Sequence, residues 1–204
     1  MQRKIYQKLL DWKNKINRKP LILEGARQVG KTWLMQELGK NEYKNCVYIN
    51  FDRESWAKNL FEQDYDINRI LLQLQAQSNQ RIIAGETLII FDELQEAPRG
   101  LSVLKYFYEE APEHHIVVAG SLLGITLHQG ESFPVGKVDV MQVKPLTFIE
   151  FLYAMGEDIK AMCIEEKRWD ILKALAPQYE ELLRQYYFVG GMPEAVANFV
   201  ANKD

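Results

Sequence analysis

Gly25-Ala26-Arg27-Gln28-Val29-Gly30-Lys31-Thr32 is the stretch whose reading decides the fold. It fits G-x-x-x-x-G-K-[ST], a loop whose backbone cradles phosphates. Its flanks have the order such a loop requires. Leu21-Ile22-Leu23 before it is a short apolar strand, and Trp33-Leu34-Met35-Gln36-Glu37-Leu38 after it reads as a helix that stops at Gly39. The strand aims the loop, the glycines let the backbone wrap the phosphates, and the helix N-terminus supplies N–H donors and partial positive charge. The expected nucleotide contacts are therefore Gly25, Ala26, Arg27, Gln28, Val29, Gly30, Lys31, Thr32 and, in the first helical turn, Trp33. Lys31 would neutralise the β- and γ-phosphates, and the Thr32 hydroxyl would ligate Mg²⁺.

A second signal lies downstream. Thr87-Leu88-Ile89-Ile90-Phe91 is apolar and ends in Asp92-Glu93, the Walker B pattern. A strand buried on both faces of a parallel sheet reads this way, and its C-terminal end lies at the edge where ligands bind. Asp92 would hold Mg²⁺ through water, and Glu93 would orient and polarise an attacking water. The plainer reading is a strand that ends in a polar turn.

The chain has 204 residues, 47% hydrophobic and 26% charged, which suits one α/β domain with a small helical appendage. A net charge of −3 offers no overall basic signature for nucleic acid. Cys46 and Cys163 are far apart, and His114, His115 and His128 have no metal-ligand spacing. No apolar stretch has the length of a membrane span, and the start lacks the apolar core of a signal peptide. A reduced, cytoplasmic protein is expected. The first twenty residues are an exception in charge: seven Lys and Arg stand against Asp11, while Ile5, Leu9, Trp12 and Ile16 fall at helical spacing. Such a basic helix either contacts acidic lipid, nucleic acid or a partner, or packs by its apolar stripe with its lysines in solvent.

Further strands are expected over residues 47–51, 88–91, 116–119 and 138–143, separated by helical patterns such as Ile67, Ile70, Leu71 and Leu74, and Leu101, Leu104 and Tyr108. Strand–helix alternation implies right-handed crossovers and a parallel sheet. Ala119-Gly120-Ser121 places a small polar residue at the end of the fourth strand, where Ser121 could sense the γ-phosphate or simply sit in a glycine turn. The functional reading puts the Ser121 strand between the other two. From Thr147 the pattern is helical. Thr147-Phe148-Ile149-Glu150 is a capping box, a helix opens near Pro177 and runs to Gly190-Gly191, and a last one starts at Pro193.

GARQVGKT, FDELQ, AGSLLG, FPVGKV, PLTFIEFL and GGMPEAV, in this order, resemble a family of prokaryotic AAA+-like P-loop ATPases. The likeness runs from about Arg18 to Val196. It implies a three-layer α/β P-loop fold with a mainly parallel five-stranded sheet, order 5-1-4-3-2, followed by a helical lid. Residues 1–146 would then form the ATPase core with its basic N-terminal helix, and 147–204 the lid. The resemblance implies ATP and Mg²⁺ as ligands, and a nuclease-like second domain of unknown function beyond the lid. With the chain ending at Asp204, it reads as an N-terminal fragment or a short member. Gly190-Gly191-Met192-Pro193 resembles the motif at which lid helices of related ATPases meet nucleotide, making Pro193 a candidate contact. Many relatives carry an arginine where this chain reads Lys137, which is a point charge without a bidentate fork, or else a turn lysine.

The expected activity is slow ATP hydrolysis with Glu93, Lys31 and Ser121 as catalytic groups and Thr32 and Asp92 holding Mg²⁺, coupled to rearrangement of the lid or a partner. Self-association, a C-terminal domain or a partner would supply the completing cation. The alternatives are a nucleotide-dependent switch with negligible turnover and a small-molecule kinase, which an acidic pair suited to water activation disfavours.

Overall fold

A computed structural model of the chain describes residues 3–120 and 134–202. They fall into two compact units, one of Leu9–Val143 and one that joins Met1–Lys8 to Lys144–Asp204.

The larger unit is built on a five-stranded sheet. In chain order its strands are β1 (Leu21–Glu24), β2 (Asn45–Asn50), β3 (Thr87–Asp92), β4 (His115–Ala119) and β5 (Asp139–Gln142). Across the sheet they run β2-β3-β4-β1-β5, the expected order read from the other edge. Every pairing is parallel. Strands β3 and β4 are buried along their whole length, which is why they read as continuous apolar runs. The edge strand β5 alternates between half-buried and exposed positions, matching its alternating sequence.

Helix α1 (Ile5–Lys13) precedes the first strand, and α2 (Lys31–Glu42), α3 (Ser55–Lys58), α4 (Ile67–Ser78) and α5 (Gly100–Glu110) carry the connections from β1 to β4. Helix α4 starts where the Asp66 carboxylate accepts the amides of Asn68 and Arg69, at 2.9 and 3.4 Å, and ends at Asn79 in the left-handed region. It buries Ile67, Ile70 and Leu74. Helix α5 buries Leu101, Leu104 and Phe107, so its inner stripe passes through Phe107 rather than the expected Tyr108. Phe51, Phe61, Phe91 and Phe107 form one aromatic chain in this core, with ring centroids 5.4–6.4 Å apart.

The smaller unit holds α6 (Phe148–Ala154), α7 (Asp158–Glu165), α8 (Trp169–Ala174), α9 (Ala176–Val189) and α10 (Pro193–Ala201). Its core centres on Phe151, packed on Tyr186 and Phe199 at 5.4 and 6.3 Å. The capping box of α6 forms as its sequence implies: the Thr147 hydroxyl accepts the Glu150 amide and the Glu150 carboxylate accepts the Thr147 amide. Glu150 does more than cap. It is 4% exposed and binds the Arg3 guanidinium at 3.2 Å and the Lys4 amide at 2.9 Å. Burial alone would raise this carboxyl, but the Thr147 and Lys4 amides and Arg3 more than offset that and hold it below the usual carboxylate range. Arg3 also donates to the Lys144 carbonyl at 2.6 Å, and the Lys4 ammonium pairs with Glu165 at 2.6 Å. Two of the basic residues at the chain's start are thus committed to acidic or carbonyl partners.

At the start of β4, His115 is 8% exposed and shares a 2.7 Å hydrogen bond with the Tyr43 hydroxyl. The rings of Tyr43 and Trp12 stand edge-on to it at 5.3 and 6.3 Å. Burial, then the nearby Arg18 and Lys13, push its pKa down from 6.5 to about 4. A depressed folded-state pKa means that the unfolded chain binds more protons between these values. The stability this provides is complete above pH 6.5 and is lost as pH falls from there towards 4. Replacing the pair together, His115→Phe with Tyr43→Phe, should flatten the fall in unfolding free energy between pH 7 and 4.5 by roughly 2 kcal/mol, since one pKa unit corresponds to about 1.4 kcal/mol. Urea denaturation across that range is the measurement, and parallel pH profiles for both chains would show that His115 charges freely in the fold.

Candidate functional site

The loop between β1 and α2 lies beyond the C-terminal end of a central strand. It begins at Gly25, where the chain passes close to β5. Val143, just past β5, donates its amide to the Glu24 carbonyl at 2.7 Å. A Cβ on Gly25 would overlap the Val143 carbonyl and press on a Val29 methyl, so only glycine fits. Val29 is fully buried and anchors the loop, while Ala26, Arg27 and Gln28 are exposed, with Gln28 in the left-handed region at φ 65°. Gly30 is the N-cap of α2 and makes no side-chain cap. The bond from the Leu34 amide to the Gly30 carbonyl, 3.0 Å, is the helical pairing next to the loop. The amides of Lys31, Thr32 and Trp33 precede it and are the donors a helix N-terminus presents to an anion.

Lys31 is 8% exposed and turns back over the loop, donating to the carbonyls of Gly25 and Ala26 at 2.8 Å each. Burial pulls its ammonium below the ordinary lysine range; Glu93 and Asp92 oppose that shift and Arg27 adds to it. The Trp33 side chain is 42% exposed in the first turn of α2.

Asp92, at the end of β3, is 3% exposed. The Thr32 hydroxyl donates to its Oδ2 at 2.8 Å. The Tyr48 hydroxyl donates to the same oxygen at 2.8 Å, and the Glu93 amide donates to Oδ1 at 3.1 Å. Burial, together with Asp92, pushes the Tyr48 phenol up to about 12. Glu93 leaves the strand in the left-handed region at φ 52°, and its Oε2 accepts the Gln95 amide at 2.5 Å. Parallel register places Asn50 beside Asp92.

The fold therefore gathers Gly25 through Thr32, Asp92 and Glu93 at one edge of the sheet. Ser121 lies outside the described residues, and Pro193 is the first residue of α10 in the helical unit. The neighbouring Gly191 has a packing duty: the Leu146 amide donates to its carbonyl at 2.6 Å, and a Cβ there would overlap the Leu146 carbonyl. Lys137 precedes β5, so in a parallel sheet it stands at the opposite edge from the loop after β1. It pairs with Glu109 at 3.0 Å and lies 5.3 Å over the Tyr108 ring. Tyr48 and Gln95 were not anticipated. The faint signal for Tyr48 is its position two residues before Asn50, on the same face of β2, with a hydroxyl between the apolar Val47 and Ile49.

A family model described as AAA domain matches residues 17–152. The chain belongs to the AAA domain family. Its members' P-loop ATPase architecture accords with the sheet order and with the loop after β1. Among solved structures, the chain is similar to a Walker-type ATPase of Pyrococcus abyssi, at 18% identity and a TM-score of 0.54 over 100% of this chain and 68% of that one. It is also similar to the Drosophila ORC in a structure bound to DNA, at 15% identity and a TM-score of 0.54 over 96% of this chain and 57% of that one. At these identities the likeness is one of fold. No curated protein matches the chain. Among the described residues of this AAA domain protein, no helix is long and apolar enough to cross a membrane, and no group of three or more His, Cys, Asp or Glu could hold a metal ion.

Lys31→Ala removes the one ammonium folded over the loop. ATP affinity should fall on the order of tenfold to a thousandfold, the loss expected for a charge-assisted phosphate contact in a partly desolvated site. Calorimetric titration with MgATP reads it. Unchanged affinity in a chain with an intact circular dichroism spectrum would remove the phosphate-binding role of the loop.

Proposed function

We propose that this AAA domain protein binds MgATP at the loop after β1 and hydrolyses it. The observation that carries the reading is the approach of Thr32 Oγ1 to Asp92 Oδ2, 2.8 Å apart though the residues are 60 apart in sequence. A hydroxyl and a carboxylate at that spacing, beside a helix N-terminus and a lysine, are hard oxygen donors suited to Mg²⁺ shared with a polyphosphate. With no cluster of three or more His, Cys, Asp or Glu among the described residues, the remaining ligands would be phosphate oxygens and water. Bound there, the ion would offset negative charge on the β- and γ-phosphoryl oxygens.

The chain's own groups would do the rest. Lys31 exchanges its two carbonyl acceptors for phosphate oxygens, and the amides from Gln28 to Thr32 hold the polyphosphate in register. Glu93 accepts a proton from water while that oxygen attacks the γ-phosphorus. The bond to the bridging oxygen breaks, leaving ADP and inorganic phosphate. The turn at Glu93 and the amide of Gln95 support this role, since both fix the direction of the carboxylate. Loss of the γ-phosphoryl charge would then change what Lys31 and the loop hold, and the helical unit or a bound partner would read that change.

Glu93→Gln separates binding from chemistry. The amide fills the same space but is a poor base, so MgATP should still bind while phosphate release slows on the order of a hundredfold or more. Asp92→Asn should instead weaken the Mg²⁺ dependence of nucleotide binding. A Glu93→Gln chain that hydrolyses as fast as its parent would refute the assignment of the base.

A further inference from the structure

We propose that Tyr48 is a positioning residue for the Asp92 carboxylate, holding the oxygen that faces Thr32 so that the pair is set for Mg²⁺ before the ion arrives. The inference rests on the MgATP reading above and extends it to a residue outside the loop and the acidic pair.

The geometry assigns each proton. Asp92 Oδ2 accepts two hydroxyls, from Thr32 and from Tyr48, each at 2.8 Å. Its other oxygen accepts the Glu93 amide at 3.1 Å. The phenol has one hydrogen, and its direction is settled by Asn50. The Asn50 side-chain carbonyl accepts the amides of Asp52 and Arg53 at 3.1 and 3.0 Å, which turns its NH₂ towards the Tyr48 oxygen at 3.3 Å. With that oxygen accepting from Asn50, the phenolic hydrogen is left for Asp92. The chain of donors therefore runs Asn50 to Tyr48 to Asp92, along β2 and across to β3.

The two hydroxyls on Oδ2 are not equivalent. Thr32 sits in the first turn of α2, after the loop that would hold the phosphates, and would turn a lone pair to the cation. Tyr48 sits on β2, a strand locked in register with β3 from Asn45↔Thr87 to Asn50↔Asp92. Its hydrogen bond needs no ligand, and together with the Glu93 amide on Oδ1 it keeps a buried carboxylate in one orientation while Thr32 changes partner. Groups that orient a ligating side chain in this way typically set metal affinity by 10–100-fold.

The test uses the full 204-residue chain and measures ATP affinity by calorimetry across a Mg²⁺ titration and in EDTA. In Tyr48→Phe, which keeps the ring, the Mg²⁺ concentration at half effect should rise roughly tenfold. Affinity in EDTA should stay at the parent value, and excess Mg²⁺ should restore parent affinity. A mere packing defect would lower all of these together and would not be rescued by the ion. In an Asp92→Asn background, Tyr48→Phe should add little, because the acceptor it orients has changed. An unshifted midpoint, or a full-sized effect in the Asp92→Asn background, overturns the assignment. A parent chain whose nucleotide affinity ignores Mg²⁺ removes the MgATP reading and the Tyr48 proposal with it. A Mg²⁺-dependent parent with an indistinguishable Tyr48→Phe removes the Tyr48 proposal alone.

Discussion

A carboxylate buried to 3% exposure at the end of a central strand has to be satisfied where it stands. Asp92 meets that requirement with donors from three segments: Thr32 at the head of α2, Tyr48 on β2, and the Glu93 amide at its own turn. Each donor implies a larger arrangement. The Tyr48 contact needs β2 and β3 in parallel register, and the Thr32 contact needs α2 to begin beside the end of β3 although β1, which leads to it, is two strands away. That second condition is met because α2, leaving β1, crosses over β4 and packs on β3 and β2. Sheet order and site geometry are thus one constraint seen at two scales.

The loop obeys a constraint of the opposite kind, a lack of space. Gly25 lies against the Val143 carbonyl, so the edge strand β5 limits what the loop's first residue can be. Lys31 folds its ammonium onto the carbonyls of Gly25 and Ala26, where it offsets the concentration of acceptors at the loop mouth. A buried ammonium held by two neutral acceptors and two nearby carboxylates would, on the proposed function, gain by exchanging the carbonyls for phosphate oxygens, which are charged acceptors. On that proposal the loop is organised around a cation that would find better partners in a ligand than in its own backbone.

Much of this was legible in the sequence for local reasons. The loop's glycines, the apolar runs of β3 and β4, the alternation of β5 and the capping box at Thr147 all act through neighbours a few residues away, so their pattern survives in one dimension. The sheet order followed from resemblance and from the placement of Ser121's strand. What escaped reading was tertiary. Tyr48 looks like any aromatic in a strand until β3 is laid beside it. For Lys137, a point charge where relatives carry an arginine or else a turn lysine, sequence could not supply its partner Glu109, which the fold brings to it. Arg3 and Lys4 read as part of a basic amphipathic helix, whereas Glu150 and Glu165, about 150 residues on, explain their charge.

Glu93 shows how the two kinds of information combine. A glutamate with φ 52° occupies a conformation that costs L-residues of order 1 kcal/mol or more, and nothing in the composition of Asp-Glu-Leu-Gln demands it. The demand comes from Asp92. Its Oδ1 takes the amide of the next residue at 3.1 Å, and a 3₁₀ turn over Leu94–Glu96 follows at once, with Leu94 fully buried. Between a strand that must end with its carboxylate satisfied and a leucine that must enter the core, the chain has one residue in which to change direction. That residue is Glu93, and Gln95, two positions on, meets its carboxylate as the turn closes. The strain is therefore local, while its cause is the burial on either side of it. The carboxylate proposed as the base is aimed by the same packing that holds the carboxylate proposed for Mg²⁺, so neither group could be moved without disturbing the other.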